Sequence, residues 1–231
     1  MNSKMVSVLL PMKGHSERVL SKNTRILGEA PLFYHILRSL LSAKYIREIL
    51  VDTDSDKIKD LLQKDFPKVK IIDRPPHLLG DKVPMTSIIH YDLQFAASAH
   101  FMQTHATSPF IKTGTIESAI ETYFEGLSKG FDSVMGVNRF QTRFYDHHKK
   151  PVNHNPDIMV PSQDMPPLYE DNSSFYINSV ENFMKYINRI GKNPNFVEVS
   201  KFESVDIDEE DDFRFCESLY EFLKSKHYEN K

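Results

Sequence analysis

A chain of 231 residues with 40% hydrophobic content can bury one sizeable core, or one core plus a modest extension, so a single domain with an insertion is the economical count. The formal net charge of −3 and a pI near 6.4 exclude a broad nucleic-acid surface, and the single cysteine, Cys216, excludes an intrachain disulfide or a Cys-based zinc site. No stretch approaches the roughly 18 apolar residues of a membrane span, and the first apolar run is shorter than a signal-peptide core of about 7 to 15 residues, so a cytoplasmic protein without membrane contact is expected.

Strand-like and helix-like patterns alternate through residues 1–138, the mark of βαβ units and a mainly parallel sheet flanked by helices. The first strand is predicted over 5–10. Just past its carboxyl end come Lys13, Gly14, Ser16, Arg18 and Lys22, at the edge where open α/β sheets bind ligands. Clustered cations and free backbone N–H groups suit a triphosphate. The loop matches neither GxxxxGK followed by Ser or Thr nor GxGxxG, and the residues alone leave it equally open to be a solvated surface turn.

Helix is expected over 31–43, strand over 46–51, helix over 54–66, strand over 69–72, helix over 84–97 and a short strand over 100–103. A helix over 113–128 and a strand over 131–137 close the alternating part. Asp52-Thr53-Asp54 forms a D-x-D that could mark the metal site of a nucleotide-sugar glycosyltransferase, but it reads better as a strand-end cap opening a helix at Asp54.

The pattern fails between Asn138 and Glu170, where Pro151, Pro156, Pro161, Pro166 and Pro167 break any long element. Loops this long in compact domains are functional or associate with something, and the aromatic content (Phe140, Phe144, Tyr145, Tyr169) argues against full disorder. Asp146, His147, His148 and His154 read as a solvated loop, because adjacent histidines there share no face. Beyond it come a strand over 174–178, a helix over 180–189, a strand over 196–199 and a closing helix over 209–226. In Ser204-Val205-Asp206-Ile207-Asp208 the two carboxylates at i and i+2 point the same way if the segment is extended, and both could reach one Mg²⁺. The same residues also read as an acidic helix start with Asp208 as N-cap. Ser16 and Ser108 have no motif-placed His or Asp partner, so no covalent intermediate is expected.

Read together, these segments resemble the acylneuraminate cytidylyltransferase (CMP-sialic acid synthetase) family. Pro11, Gly14, Ser16, Arg18, Lys22 and Asn23 are in register with its P-A-R-G-G-S-K-R-x-P-x-K-N signature. Arg74-Pro75 to Asp81 is similar to R-P-x-x-L-A-x-D, and Gln103 with Thr107-Ser108-Pro109 to L-Q-P-T-S-P with a two-residue insertion. Asp171-Asn172-Ser173-Ser174-Phe175-Tyr176-Ile177 is close to E-N-G-S-F-Y-I, and 204–208 to S-x-D-I-D. The order and spacing match over nearly the whole chain.

The resemblance implies a Rossmann-like nucleotidyltransferase three-layer sandwich over 1–231, with 138–170 as an inserted dimerisation and substrate arm. It implies transfer of CMP from CTP to the 2-hydroxyl of an acidic, nine-carbon-type, 3-deoxy-2-ulosonic sugar. Lys13, Arg18 and Lys22 would be the catalytic cations, holding the triphosphate with Gly14 and Ser16. Asn23 and Arg74 would read cytosine and ribose, while Gln103, Asn172 and Tyr176 face the sugar. Asp206 and Asp208 would hold Mg²⁺, and the protein would be a homodimer. The chain departs from the pattern at Lys13 (Arg in the family), His15 (Gly), Glu17 (Lys), Leu20 (Pro) and Ser173 (Gly). A non-catalytic nucleotide-binding relative therefore stays open beside the D-x-D glycosyltransferase.

Overall fold

The computed structural model describes residues 4–16 and 18–226, so Glu17 lies outside the described residues. In chain order the elements are β1 (Val6–Leu9), the short strands β2 (Ile26–Leu27) and β3 (Ala30–Pro31), α1 (Leu32–Ser42), β4 (Ile46–Thr53), α2 (Asp56–Asp65) and β5 (Lys70–Asp73). They continue with α3 (Met85–Asp92), β6 (His100–Thr104), α4 (Thr113–Leu127), β7 (Ser133–Phe140), β8 (Leu168–Ser179), α5 (Val180–Tyr186), β9 (Pro194–Glu198) and α6 (Glu210–Ser225).

Among the described residues, seven strands form one sheet in the order β5-β4-β1-β6-β8-β7-β9. β5, β4, β1 and β6 run parallel to one another, β8 pairs antiparallel with both β6 and β7, and β9 is parallel to β7. The expected α/β class with a mainly parallel, mixed sheet is what the chain adopts.

The apolar runs are continuous because both sheet faces are covered, and the strand period of two sorts them. Val6 and Val8 of β1, Ile49 and Val51 of β4 and Met102 of β6 join α1, α2 and α4 in one core. The intervening Leu9, Leu50 and Phe101 pack on the other face with Ile89 of α3 and Phe183 of α5. Three layers result. A further cluster seats α6 through Phe213, Cys216 and Leu219 on Val19, Leu27, Leu32, Phe110 and Ile207. Gly28, in the β2–β3 turn, has a φ of +61°, and a Cβ there would lie 2.0 Å from the Tyr220 ring of α6, so only glycine lets this hairpin meet that helix.

Several boundaries differ from the sequence reading. The two strands flanking the proline-rich stretch run longer than expected: Asn138 pairs with Glu170 and Phe140 with Leu168, so only 141–167 leave the sheet. Alternation is a weak guide here, because this base of the hairpin is half exposed and carries polar side chains on both faces. The helix expected over 180–189 stops at Tyr186, where Ile187 takes a left-handed conformation with φ 48°. The helix expected over 84–97 stops at Asp92 and continues as a 3-10 turn, Leu93–Phe95. Among the described residues, no helix is long and apolar enough to cross a membrane.

Candidate active site

The segments that follow β1, β5 and β6, the start of α3, Ser173 within β8, the loop after α5 and the segment before α6 enclose a cavity of about 420 Å³. Lys13, Arg18, Lys22, Asn23, Arg74, Asp206 and Asp208 line it, with His105, Ser173, Arg189 and Asp81. Gly14, Ser16, Gln103, Asn172 and Tyr176 are not among the residues that line it.

The first loop leaves β1 along β4: the Leu10 N–H donates to Leu50 O (2.9 Å) and the Met12 N–H to Asp52 O (2.8 Å). Gly14 donates its N–H to Asp54 Oδ1 at 2.6 Å, and a Cβ at Gly14 would lie 2.7 Å from Ser55 Cβ. Glycine thus lets the loop press against the start of α2. The α2 cap is Ser55, whose Oγ accepts from the Ile58 N–H, and Asp54, expected to open the helix, braces the loop instead. Asn23 Nδ2 donates to Lys13 O (2.9 Å), folding the loop back on itself, and Ser16 Oγ accepts from the Val19 N–H (3.4 Å).

Across the cavity, Ile207 is fully buried and its N–H donates to Thr107 O at 3.1 Å, so the flanking Asp206 and Asp208 are carried to the cavity side. Segments 190 residues apart meet here. Arg18 Nη2 donates to Asp208 Oδ1 (3.1 Å), Lys22 Nζ lies 3.7 Å from the same oxygen, and Lys22 Nζ donates to Ile207 O (2.6 Å). Burial lowers the Lys22 pKa, with Asp208 and Asp206 opposing the shift. Asp206 is more deeply set. Burial, then the Asp208 charge, push its carboxyl up, Thr107 and Lys22 work against this, and its Oδ1 has no hydrogen-bond partner. The cap of α6 is Glu209, boxed with Asp212, whose Oδ2 also accepts from the Asp208 N–H. Asp208 therefore faces the cavity rather than capping the helix.

Opposite these groups, Lys13 is ion-paired to Asp81, and Arg74 reaches back to the buried Asp52. Asp52 and Asp54 are thus engaged in holding Arg74 and Gly14, and among the described residues no group of three or more His, Cys, Asp or Glu side chains is placed to hold a metal ion. The loop histidines follow the same pattern: His154 contacts the Tyr145 hydroxyl (3.1 Å) while Asp146 accepts from the His148 and Lys150 N–H groups.

A third wall was not visible in the sequence. Arg189, freed by the early end of α5, donates to Gln103 Oε1 (2.9 Å) and to the Tyr176 hydroxyl (3.1 Å), and its guanidinium carbon sits 3.9 Å from the Tyr176 ring centroid. Tyr176 in turn donates to the Asp171 carboxylate at 2.7 Å. Gln103 Nε2 lies 3.0 Å from His105 Nε2. Burial, with Arg189 and Lys22 nearby, pushes the His105 pKa down to about 3, so its imidazole is neutral. Gln103 and Tyr176 thus reach the cavity through Arg189. Asn172 is spent on structure: its Oδ1 accepts from the Ser174 N–H (3.1 Å) and its Nδ2 donates to Asn138 Oδ1 (3.1 Å). Its neighbour Ser173 lines the cavity at φ 57°, the backbone region in which a glycine is least strained.

Comparison with known proteins finds relatives of this chain. An N-acylneuraminate cytidylyltransferase A from Danio rerio is 26% identical over 223 residues, covering 93% of this chain and 50% of that one. A CMP-N,N'-diacetyllegionaminic acid synthase from Legionella pneumophila is 26% identical over 229 residues, covering 94% and 96%. The chain therefore spans about half the length of the first relative and nearly all of the second. In fold it is similar to a CMP:2-keto-3-deoxy-manno-octonic acid synthetase solved with CTP, with a TM-score of 0.73 at 10% identity over 94% of this chain and 99% of that one. With the profile described as Cytidylyltransferase matching residues 7–228, the chain belongs to the cytidylyltransferase family.

Proposed function

We propose that this chain transfers CMP from CTP to the 2-hydroxyl of a sialic-acid-like 3-deoxy-2-ulosonic acid. The observation that carries this reading is the meeting of Arg18 and Lys22, from the first loop, with Asp206 and Asp208, nearly the whole chain away, across one cavity. Three cations, Lys13, Arg18 and Lys22, suit a triphosphate. Arg74 and Asn23 sit beside them for the cytosine and ribose. Arg189, whose fork is held by the neutral Gln103 and Tyr176, suits the carboxylate of the sugar.

The sugar hydroxyl oxygen bonds the α-phosphorus as the bond to the leaving bridging oxygen breaks, pyrophosphate departs and the hydroxyl proton passes to solvent water. The chain's part is to align the two reactants and neutralise charge. Neutral His105, with its low basicity, orients Gln103 and Arg189 rather than taking a proton. Asp206 and Asp208 suit Mg²⁺, which favours one or two carboxylates plus phosphate oxygens, and the unpartnered Asp206 Oδ1 is a group a cation satisfies. Bound there, the ion would neutralise phosphate charge and make a coordinated hydroxyl more acidic.

The arm over 138–170 is proposed to join two copies, with the exposed Tyr145, Val152, Ile158 and Met159 as its contact surface. The activity is tested by coupled pyrophosphate release with CTP, Mg²⁺ and a panel of ulosonic acids. Release that needs all three components is expected. Its absence with every acid, while CTP still binds, points instead to a non-catalytic nucleotide-binding relative.

A further inference from the structure

Behind Arg74 lies an acid pair that the transfer reaction does not use. Asp52, near the end of β4, and Asp92, the last residue of α3, are both fully buried, and their carboxyl groups are within hydrogen-bonding reach of each other. Arg74 Nε donates to Asp52 Oδ1 and Nη2 to the Asp52 carbonyl oxygen at 3.4 Å. Asp52 Oδ2 and both Asp92 oxygens meet no N–H or O–H donor from another group.

One guanidinium cannot neutralise two carboxylates, and an uncompensated charge in the interior is strongly unfavourable. A retained proton removes the conflict, because a carboxylic acid O–H can donate to the neighbouring carboxylate. Arg74 assigns the roles. Asp52, in contact with it, stays ionised, and Asp92, flanked by Ile89 and Leu93 of the apolar cluster, keeps the proton.

We propose that Asp92 is a neutral carboxylic acid that hydrogen-bonds the Asp52 carboxylate, and that this pair is a positioning device holding Arg74 at the base side of the cavity. The second half rests on the cavity being the CTP site. Besides Arg74, the charged group facing the pair is Asp54; burial, then Asp52, push the Asp92 pKa up to about 9, with Arg74 opposing.

The test uses the full chain with ¹³C-labelled aspartate carboxyls. One aspartate is expected to remain protonated at pH 7, and its resonance to vanish in Asp92→Asn. CTP titrations without sugar follow. Asp92→Asn, whose amide still donates to Asp52, is expected to stay within about twofold of the parent, whereas Asp92→Leu and Asp52→Asn weaken CTP roughly tenfold. Asp52→Asn with Arg74→Ala is expected to bind no worse than Arg74→Ala alone, and the Arg74 Nε–H resonance to shift in Asp52→Asn. An Asp92 carboxyl that ionises in the ordinary range, or an Asp92→Asn loss equal to that of Asp92→Leu, overturns the proposal. If the parent chain binds no CTP, the cytidylyl reading falls, while the carboxyl and Nε–H resonances still decide the pair and its hold on Arg74.

Discussion

Two cations share Asp208, so the side chains proposed to bind phosphate are drawn together and partly neutralised. A triphosphate must compete with Asp208 for Arg18. Because both partners of that ion pair are more than half exposed, it contributes little to stability. Asp208→Asn is accordingly expected to leave thermal unfolding unchanged but abolish Mg²⁺-dependent turnover; near-parental rates at limiting Mg²⁺ would remove the metal assignment. Arg18→Ala loses a charge-assisted phosphate contact, expected at roughly ten- to a hundredfold in CTP affinity, whereas Glu17→Ala is expected to change little. Equal, negligible effects from both in a CTP titration would mean that this loop does not hold phosphate. On the opposite wall, Arg189→Ala is expected to raise KM for the sugar acid while CTP affinity stays put, and Arg189→Lys to rescue poorly, since a point ammonium cannot bridge Gln103 and Tyr176 as the fork does. Unchanged sugar KM in the alanine variant sinks that role.

At the scale of elements, the site depends on how helices stop and start. The Glu209–Asp212 box fixes the first turn of α6, and Arg25 both pairs with Glu210 (2.7 Å) and lies 3.8 Å from the Phe213 ring centroid. Asp212→Ala is expected to cost about 1 kcal/mol in urea denaturation, with a larger loss of Mg²⁺ response because it also releases the Asp208 N–H. No change in either measurement would show that the box does not hold the acid pair. Such details also explain what could be read beforehand. The cations of the first loop and the 206–208 carboxylates could be singled out beforehand because their spacing is local, and the structure brings both to one cavity. Arg189 was not, because its reach into the cavity depends on Ile187 turning left-handed, which residue type alone does not dictate. Asp54 and Asp208 were both plausible caps, yet Ser55 and Glu209 hold those places, since a neighbouring tertiary contact claimed each aspartate. The roles of Asp52 and Asp92 depend on two elements meeting in space, and no sequence period records that.

Over the whole molecule, buried titratable groups limit the pH range from both sides. Burial lowers the pKa of His35, His100 and His105, so the folded chain binds these protons less tightly than the unfolded one. Their contribution is present above the ordinary histidine value of 6.5 and is lost as pH falls below it. Asp92 acts in the opposite sense: its raised pKa contributes stability that is complete below the ordinary aspartate value of 3.8 and is lost as pH rises toward about 9. Urea midpoints are therefore expected to decline on the alkaline side, a decline that Asp92→Asn flattens, and in that variant, without the opposing Asp92 gain, to fall on acidification from pH 6.5. A midpoint independent of pH across both ranges contradicts these assignments. Sedimentation at micromolar concentration is expected to show a dimer, and Ile158→Ser with Met159→Ser to shift it toward monomer; a fully active parental monomer removes the arm's proposed role.

The contact between Arg18 and Asp208 joins residues 190 positions apart, which sets an order of events during synthesis. The cationic loop is made well before the acid pair. A chain stalled before Asp206 carries Arg18 and Lys22 without the Asp208 oxygen they share and lacks both carboxylates proposed to hold the cation. On that assignment the cation site is completed only when the segment before α6 is in place.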